Sequence, residues 1–494
     1  MKLVKLLERL DYEVIQGTED KDVKGITDHS KNAGKDFVFI CIEGSVTDGS
    51  LYIEEAVRNG ASVIVTERKI TTSFLVTCIY VKDTREALAL MSAAYYDYPA
   101  EKLKVIGITG TAGKTTTACV IHDILEKSGC KSGLIGTIEV QTGRRRIPVI
   151  NTSPESIYIH EYFKEMIETG CKTVVMEVSS QALKLKRVFG IVFDLAVFTN
   201  IGNDHISEKE HQNFREYKNC KQKLFCQCRT AIVNSDDYFW KDMVSKKGCQ
   251  VITTGMNEQA DYCFYNIKNE RKDKKLGIKY EVKGKFNGGI KTSLPGKFNA
   301  YNTMLAFAVC DFYKIDRSII KETLKDIKVK GRTEMIYLPQ KIPVMIDYAH
   351  NAMSLQSILE MVHSYSPKRI VCIFGCGGNR SLDRRYEMGR VSGRLSDLTI
   401  LTSDNPREEE VSKIISDIEK GIQKTKGEYL KIPDRKEALF YAVSNAKEGD
   451  IIIVAGKGHE TYQEIKGIKY HLDDKEIIQK IIEKEQEDVR RHYC

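Results

Sequence analysis

The sequence predicts an α/β protein of three domains built on parallel sheets, and three observations carry that prediction. The 494 residues are enough for roughly three domains of ordinary size. Short apolar, β-branched runs alternate along the chain with stretches of helical periodicity. Polar or Gly-rich turns follow several of those runs, above all in "GITGTAGKTTT" (107–117). The expected layout is a small α/β domain (1–98), a central parallel-sheet domain carrying the Gly-rich loop (99–331), and a doubly wound C-terminal domain (332–494). Hydrophobic residues make up 42% of the chain, so several cores can be buried. Only 9 prolines and no long Gly/Ser tract speak against a flexible linker protein.

The elements follow in order. "MKLVKLLERLDYEV" (1–14) reads as a short amphipathic helix whose apolar run is broken by charges, so it is not a secretory signal. "DFVFICIEG" (36–44) is a strand ending in a turn, and "YIEEAVRNGASVIVTE" (52–67) is helix, Gly turn and strand. "REALALMSAAYYDYP" (85–99) is a helix stopped at Pro99, which sets the first boundary. "LKVIG" (103–107) is a buried strand, and "TACVIHDILEKSG" (117–129) is a helix closed by Gly129. "KTVVMEVSS" (172–180) and "FDLAVFTNIGNDH" (193–205) each run from an apolar strand into polar residues. "GKFNAYNTMLAFAVCDFY" (296–313) is a helix. From about 332, "IPVMIDYAHN" (342–351), "RIVCIFGCGGNR" (369–380), "DLTILTSDNPR" (397–407) and "DIIIVAGKGHE" (450–460) are four strand-then-turn segments with helical stretches between them. They predict a second doubly wound sheet.

Bulk properties exclude several function classes. The net charge of +8 is modest, and basic clusters such as "GRRRIP" (143–148) and "NERKDKK" (269–275) read as solvated loops. No basic stripe with interleaved aromatics is present, so nucleic acid is not an expected partner. An anionic small substrate suits the charge better. The 14 cysteines are scattered, with no C-x-x-C pair and with Cys226 and Cys228 the nearest to one. That usage suggests a reducing, cytoplasmic setting. No 18-residue apolar stretch exists, so no membrane span is expected.

The chemistry sits at strand ends, where ligands of open α/β sheets bind. The "GITGTAGKTTT" loop, between strand and helix, would cradle a polyphosphate with its backbone amides and the positive helix end. Lys114 would reach the outer phosphates, and Thr115 would offer its hydroxyl to Mg²⁺. The loop is a variant, because the strict pattern needs glycine where Ile108 stands. Glu177 ends a buried strand, a costly place for a carboxylate unless it is paired or meets a cation. His205 follows the next strand. Arg332 could neutralise a phosphate, and Asp347 could accept from ribose hydroxyls. "DNPR" (404–407) and "GKGHE" (456–460) place an Arg, an Asn and a Glu at one sheet edge, a set suited to an amino acid's carboxylate and ammonium. By composition "YKNCKQKLF" (217–225) is an amphipathic helix with solvated lysines, and nothing in it singles out Lys221. "GCGGNR" fails the dinucleotide fingerprint at Arg380, which discounts NAD.

Taken together, "GITGTAGKTTT", "NTSPES" (151–156), "MEVSSQAL" (176–183), "TNIGNDH" (199–205), "CKQKLF" (220–225), "DYAHN" (347–351), "GCGGNR", "TSDNPR" (402–407) and "GKGHETYQ" (456–463) resemble the Mur ligase family, and within it the MurE branch, over nearly the whole chain. The resemblance implies a UDP-muramoyl-binding N-terminal domain, a central ATP-binding domain and a Rossmann-like amino-acid-binding C-terminal domain. It implies an ATP-dependent amide ligase that adds a diamino acid to UDP-N-acetylmuramoyl-L-Ala-D-Glu through an acyl phosphate, in cytoplasmic peptidoglycan synthesis. Catalytic roles fall on Lys114, Glu177, His205 and Lys221. Lys221 matches the lysine that the family carbamylates with CO₂. Thr115, Glu177 and His205 match Mg²⁺-linked positions. ATP contacts match Gly110, Thr111, Ala112, Gly113, Lys114, Thr115, Thr116, Asn302, Arg332 and Asp347. Contacts to the muramoyl dipeptide match Ser30, Asn151, Thr152, Ser153, Ser179, Gln181 and Arg187.

"DNPR" resembles the form that takes meso-diaminopimelate, whose far carboxylate needs a cation. Arg407 would supply it, with Asn405 and Arg380 helping, while Glu460 and Gly456 hold the distal amine and carboxylate, and Asp404 and Pro406 complete the amino-acid-binding set. L-lysine or another diamino acid is the alternative. The expected partners are these small molecules alone, with a monomeric protein. Lys31, Ala112, Gln181, Asn379 and Tyr386 depart from the commoner family residues without removing a catalytic group. The rival readings are a folylpolyglutamate-synthetase-like ligase, a P-loop ATPase driving motion or transport, and an idle homologue serving as a binding protein. "NTSPES" and "EVSSQAL" speak against the first, and retention of Lys114, Thr115, Glu177 and Lys221 against the last.

Overall fold

A run of apolar residues can be a strand only if both faces of the sheet are covered, and this chain covers them in three places. The computed structural model describes residues 1–44, 48–149, 151–202, 206, 210–245, 248–272 and 275–493, and it divides into two compact units. One unit comprises Met1–Cys263 with Tyr301–Ile320, the other Phe264–Ala300 with Lys321–Cys494.

The first unit holds two sheets. The smaller has the order Tyr12–Gln16, Thr77–Val81, Ala61–Thr66, Phe37–Ile40 and Gly25–Thr27. Its first pair is antiparallel and the rest are parallel. The larger places Lys104–Thr109 between Phe193–Phe198 and Thr173–Glu177, parallel to both. Cys228–Asn234 and Gln250–Gly255 extend one side, and Ser132–Ile135 the other. Helix Lys114–Lys127 follows the Gly-rich loop and ends with Gly129 at φ +79°, as its sequence predicts. Val105, Val174, Met176, Phe193, Phe198 and Leu224 belong to one core cluster beside this sheet.

The second unit carries a six-stranded sheet, ordered Glu334–Tyr337, Pro343–Asp347, Asp450–Ala455, Arg369–Phe374, Leu398–Leu401 and Glu428–Lys431. Only the first strand is antiparallel to its neighbour. Strand Asp450–Ala455 shows why such strands read as unbroken apolar runs. Ile451, Ile453 and Ala455 enter one core, while Ile452 and Val454 enter the core on the other face. The last helix, Asp474–Tyr493, is anchored by a buried ion pair: Arg435 Nε and Nη2 donate to the Asp474 carboxylate at 2.7 and 2.8 Å.

Three local expectations are corrected. The N-terminal helix covers only Leu3–Leu7, and Tyr12–Gln16 is a strand paired with Thr77–Val81. Tertiary pairing overrides the local periodicity there. The helix before Pro99 stops earlier, at Tyr95, with Asp97 and Tyr98 in the left-handed region at φ 62° and 49°. The basic clusters are not simply loops: Arg146–Pro148, Tyr262–Lys272 and Lys275–Gly284 are strands. In Lys275–Gly284 buried and exposed positions partly alternate, so the exposed charges share the chain with a buried apolar set. Among the described residues no helix is long and apolar enough to cross a membrane. The 13 cysteines described are all free thiols.

Helix Ser156–Glu168 buries one group at a cost. His160 is 1% exposed, and among the described residues neither ring nitrogen finds a hydrogen-bond partner. Burial pushes the imidazole from its ordinary 6.5 down to about 3. The unfolded chain therefore binds a proton that the folded chain refuses, and stability falls as pH drops from 6.5 towards 3. Urea titrations of the His160→Leu variant should give an unfolding free energy higher by about 1–2 kcal/mol at neutral pH. Its loss of stability across that acid window should be shallower than the parent's.

Candidate active site

The parallel register brings four polar segments to one edge of the central sheet. Glu177 lies opposite Ile108, and Phe198 opposite Thr109, so residues 110–113, 177–180 and 199–202 leave adjacent strands together. Strand Ser132–Ile135 adds Thr137 at the same edge.

The Gly-rich loop is held by its neighbour. Thr111 N–H donates to the Asn200 carbonyl at 2.9 Å and Ala112 N–H to Asn200 Oδ1 at 2.9 Å. Thr199 Oγ1 donates to the Ala112 carbonyl at 2.7 Å. Gly113 caps the helix at φ +83°, and a Cβ there would stand 2.3 Å from Asn302 Oδ1. The position therefore needs glycine on both counts. Asn302, expected at the nucleotide, does stand against the loop.

Two ammonium groups converge on one oxygen. Lys114 Nζ donates to the carbonyls of Gly110 and Thr111 at 2.8 and 2.9 Å. Lys221 Nζ donates to the same Gly110 carbonyl at 2.8 Å and lies 4.7 Å from the Tyr217 ring centroid. Lys221 is 1% exposed, which corrects the expectation of solvated lysines on helix Phe214–Phe225. The helix turns this one lysine inward because Tyr217 and Leu224 bury the same side. Positive charge is thereby gathered at the amino end of a helix, where an anion is favoured.

Beside the lysines lies a buried carboxylate. Glu177 is 1% exposed, and its oxygens accept from Thr115 Oγ1 at 2.9 Å, Thr137 N–H at 2.7 Å and Thr137 Oγ1 at 3.1 Å. Oxygen donors side by side form the hard ligand set that suits Mg²⁺. The other metal-linked expectation, His205, lies outside the described residues.

Of the residues expected at the muramoyl dipeptide, Thr152, Ser153, Ser179 and Arg187 assemble around the same strand end. Thr152 Oγ1 is 3.1 Å from Thr137 Oγ1, and Ser153 Oγ donates to the Glu177 carbonyl at 2.9 Å. Ser179 caps helix Ser180–Lys184 by accepting from Ala182 N–H, and its own N–H donates to Ser153 Oγ. Arg187 donates to the Ser153 carbonyl at 3.0 Å and pairs with Glu155 at 2.6 Å. Gln181 is half-buried on the same helix, and Asn151 is exposed where the segment begins. Ser30 lies at the smaller sheet, its hydroxyl donating to Glu55.

The second unit builds its own polar edge. Asp347 accepts from Thr333 N–H at 2.7 Å and Ala349 N–H at 2.9 Å. Burial pushes its carboxyl above the ordinary range, against the pull of Arg332 and those amides. The Arg332 guanidinium lies 4.6 Å from the Tyr348 ring centroid. Asn405 Nδ2 donates to Glu460 Oε2 at 2.8 Å, and Arg407 Nη1 to the Gly378 carbonyl at 2.7 Å. A Cβ on Gly456 would stand 2.7 Å from Asp404 Oδ2, so the loops Asp404–Arg407 and Gly456–Glu460 touch. Arg380 is exposed and, like Arg407, flanks Gly377.

Sequence reasoning missed Thr137, Tyr217, Asn200, Lys457 and Glu464. Lys457 is fully buried, with Nζ donating to Asn405 Oδ1 at 3.1 Å and Glu460 Oε2 at 3.2 Å. Its place between two glycines after an apolar strand was the one local signal available.

Three family profiles match this chain: "Mur ligase family, catalytic domain" over residues 22–96, "Mur ligase middle domain" over 108–310, and "Mur ligase, glutamate ligase domain" over 331–458. A protein of Caldanaerobacter subterraneus subsp. tengcongensis is 41% identical over 484 residues, covering 98% of this chain and 99% of its own. It is named UDP-N-acetylmuramoyl-L-alanyl-D-glutamate--2,6-diaminopimelate ligase. The chain belongs to the Mur ligase family. A protein of the same name from Clostridium perfringens is 39% identical over 491 residues, 98% of this Mur ligase and 100% of its own length. Among solved structures, one of a UDP-N-acetylmuramoyl-L-alanyl-D-glutamate--2,6-diaminopimelate ligase superposes with a TM-score of 0.71 at 23% identity, over 98% of this chain and 99% of that one. That likeness establishes the three-domain α/β fold of the family.

The Glu177 carboxylate accepts from three donors and donates to none. In a Glu177→Gln variant the amide oxygen can keep the Thr137 N–H, but the N–H₂ would face the Thr115 and Thr137 hydroxyls. These must turn their protons away and accept instead, so two charge-assisted hydrogen bonds are lost. Thermal and urea unfolding should then show a loss of about 1–3 kcal/mol. Thr115→Ser, which keeps the hydroxyl, should unfold like the parent.

Proposed function

We propose that this Mur ligase joins meso-diaminopimelate to UDP-N-acetylmuramoyl-L-alanyl-D-glutamate, forming an amide at the expense of ATP in peptidoglycan precursor synthesis. The observation that carries the reading is the convergence of Lys114 and Lys221 on the Gly110 carbonyl, beside the Glu177–Thr115 pair and the Thr152–Ser153–Ser179–Arg187 cluster. The residues proposed for polyphosphate and those proposed for the peptide are neighbours within one unit, which supports the reading. The domain boundaries proposed are 1–98 for the UDP-muramoyl end, 99–331 for ATP and 332–494 for the amino acid. The protein acts as a cytoplasmic monomer.

In the proposed mechanism, a carboxylate oxygen of the D-Glu residue attacks the γ-phosphorus of ATP, and ADP leaves. Lys114 and the amino end of helix Lys114–Lys127 stabilise the charge spread over the transferred phosphoryl oxygens. The amine of diaminopimelate then attacks the acyl carbon, phosphate departs, and the amine's proton is lost to solvent. Thr115, Glu177 and His205 would hold Mg²⁺, which when bound neutralises phosphate charge. Lys221, proposed as a carbamate formed with CO₂, converts a buried cation into an anion on the same side of the loop. Thr152, Ser153, Ser179, Gln181 and Arg187 hold the peptide so that its carboxylate meets the phosphate, and Asn151 and Ser30 serve the muramoyl and uridine ends. Asn302, Arg332 and Asp347 hold the nucleotide. Positioning of three substrates, with exclusion of water from the acyl phosphate, is the protein's main contribution.

Phosphate release should require ATP, the UDP-muramoyl dipeptide and meso-diaminopimelate together. Lys114→Ala should cut kcat by roughly 10²–10³ or more. Turnover with L-lysine in preference to diaminopimelate would overturn the amino-acid assignment. ATP hydrolysis indifferent to the dipeptide would overturn the ligase reading itself.

A further inference from the structure

The hairpin Tyr462–Ile465/Ile468–His471 closes over the loop Asp404–Arg407, and its contacts concentrate on Arg407. Arg407 has φ +52°, a left-handed conformation that a non-glycine residue adopts only when its surroundings enforce it. The hairpin enforces it: Arg407 N–H donates to the Glu464 carbonyl at 3.0 Å, and Lys466 N–H donates to the Arg407 carbonyl at 2.9 Å. Gln463 Nε2 donates to Ser403 Oγ at 2.9 Å and to the Asp404 carbonyl at 2.7 Å, and Glu464 N–H donates to Asn405 Oδ1 at 3.0 Å.

The side chain is fixed as well. Arg407 Nε donates to Glu464 Oε2 at 3.2 Å while Nη1 donates to the Gly378 carbonyl at 2.7 Å. A guanidinium has five N–H groups in a rigid fork. Among the described residues those two bonds use Nε–H and one Nη1 hydrogen, so three of the five N–H groups remain for an incoming carboxylate. Both side chains remain partly exposed, 26% for Arg407 and 28% for Glu464, so the pair borders solvent that a ligand can enter.

We infer that Glu464 is a specificity-determining positioning residue: it holds the Arg407 guanidinium so that the enzyme selects an amine carrying a second, distal carboxylate. The inference rests on the amino-acid site proposed above. Glu464 acts through Arg407 and does not itself touch the reacting atoms. Without it, the long Arg407 side chain regains rotamers and its Nε edge competes for the ligand.

The test is a double-mutant cycle on the full-length enzyme, with steady-state kinetics in meso-diaminopimelate for the parent, Glu464→Ala, Arg407→Ala and the double variant. Glu464→Ala should raise the KM for diaminopimelate about tenfold, the scale of one lost hydrogen bond to a charged group, with a much smaller change in kcat. Glu464→Gln, whose amide oxygen still accepts from Nε, should recover most of that loss. In the Arg407→Ala background the Glu464→Ala change should add nothing to KM. Equal effects of Glu464→Ala in both backgrounds would mark a merely structural role and overturn the inference, as would a lowered KM. If Arg407→Ala itself leaves the KM for diaminopimelate unchanged, the site reading fails, and Glu464 with it. If Arg407→Ala raises KM and Glu464→Ala does not, only the inference fails.

Discussion

A carboxylate buried at the end of a parallel strand has to be satisfied by whatever leaves the neighbouring strands, and Glu177 imposes that demand on the whole central edge. Its oxygens take hydrogen bonds from Thr115 at the start of the phosphate-loop helix and from Thr137 beyond the next strand. Thr137 in turn meets Thr152, and the Glu177 backbone carbonyl meets Ser153. One acidic group thus joins the segment that would carry the nucleotide to the segment that would carry the peptide. Moving it would take a hydrogen bond from Thr115 on one side and two from Thr137 on the other.

The lysines complete that logic with the opposite charge. Lys114 is local to the loop, three or four residues from the carbonyls it reaches. Lys221 arrives from a helix 111 residues further along and reaches the same Gly110 oxygen. As free ammonium groups the two lysines set positive charge on one carbonyl beside a buried carboxylate, and the carbamate proposed on Lys221 would reverse the sign of one of them. Electrostatic preorganisation of this kind suits a reaction in which charge moves between phosphate and carboxylate oxygens.

The second unit solves a related problem by a different route. Its edge carries Lys457 and Arg407 against Glu460 and Glu464, with Asn405 bridging them. The hairpin's backbone bonds hold Arg407 in its left-handed conformation, and Glu464 with the Gly378 carbonyl fixes its guanidinium. If an amino acid binds at this edge as proposed, orientation of these groups rather than net charge would tell a zwitterion with two ends from a simpler amine.

Much of this was legible in the chain. Parallel strands covered on both faces must be continuous apolar runs, so 104–109, 173–177, 193–198 and 450–455 announced themselves, and so did the polar residues that follow them. The Gly-Lys-Thr loop was legible because its job fixes residue types at adjacent positions. What sequence could not decide was anything set by partners distant along the chain. The burial of Lys221, the pairing of Glu464 with Arg407 and the strand at Tyr12–Gln16 where the local pattern continues a helix all depend on surfaces contributed from far away. Local pattern determines which segments become strands, helices and loops. Only packing decides which of several similar lysines or glutamates faces inward, because burial is a property of the assembled neighbours and not of the residue itself.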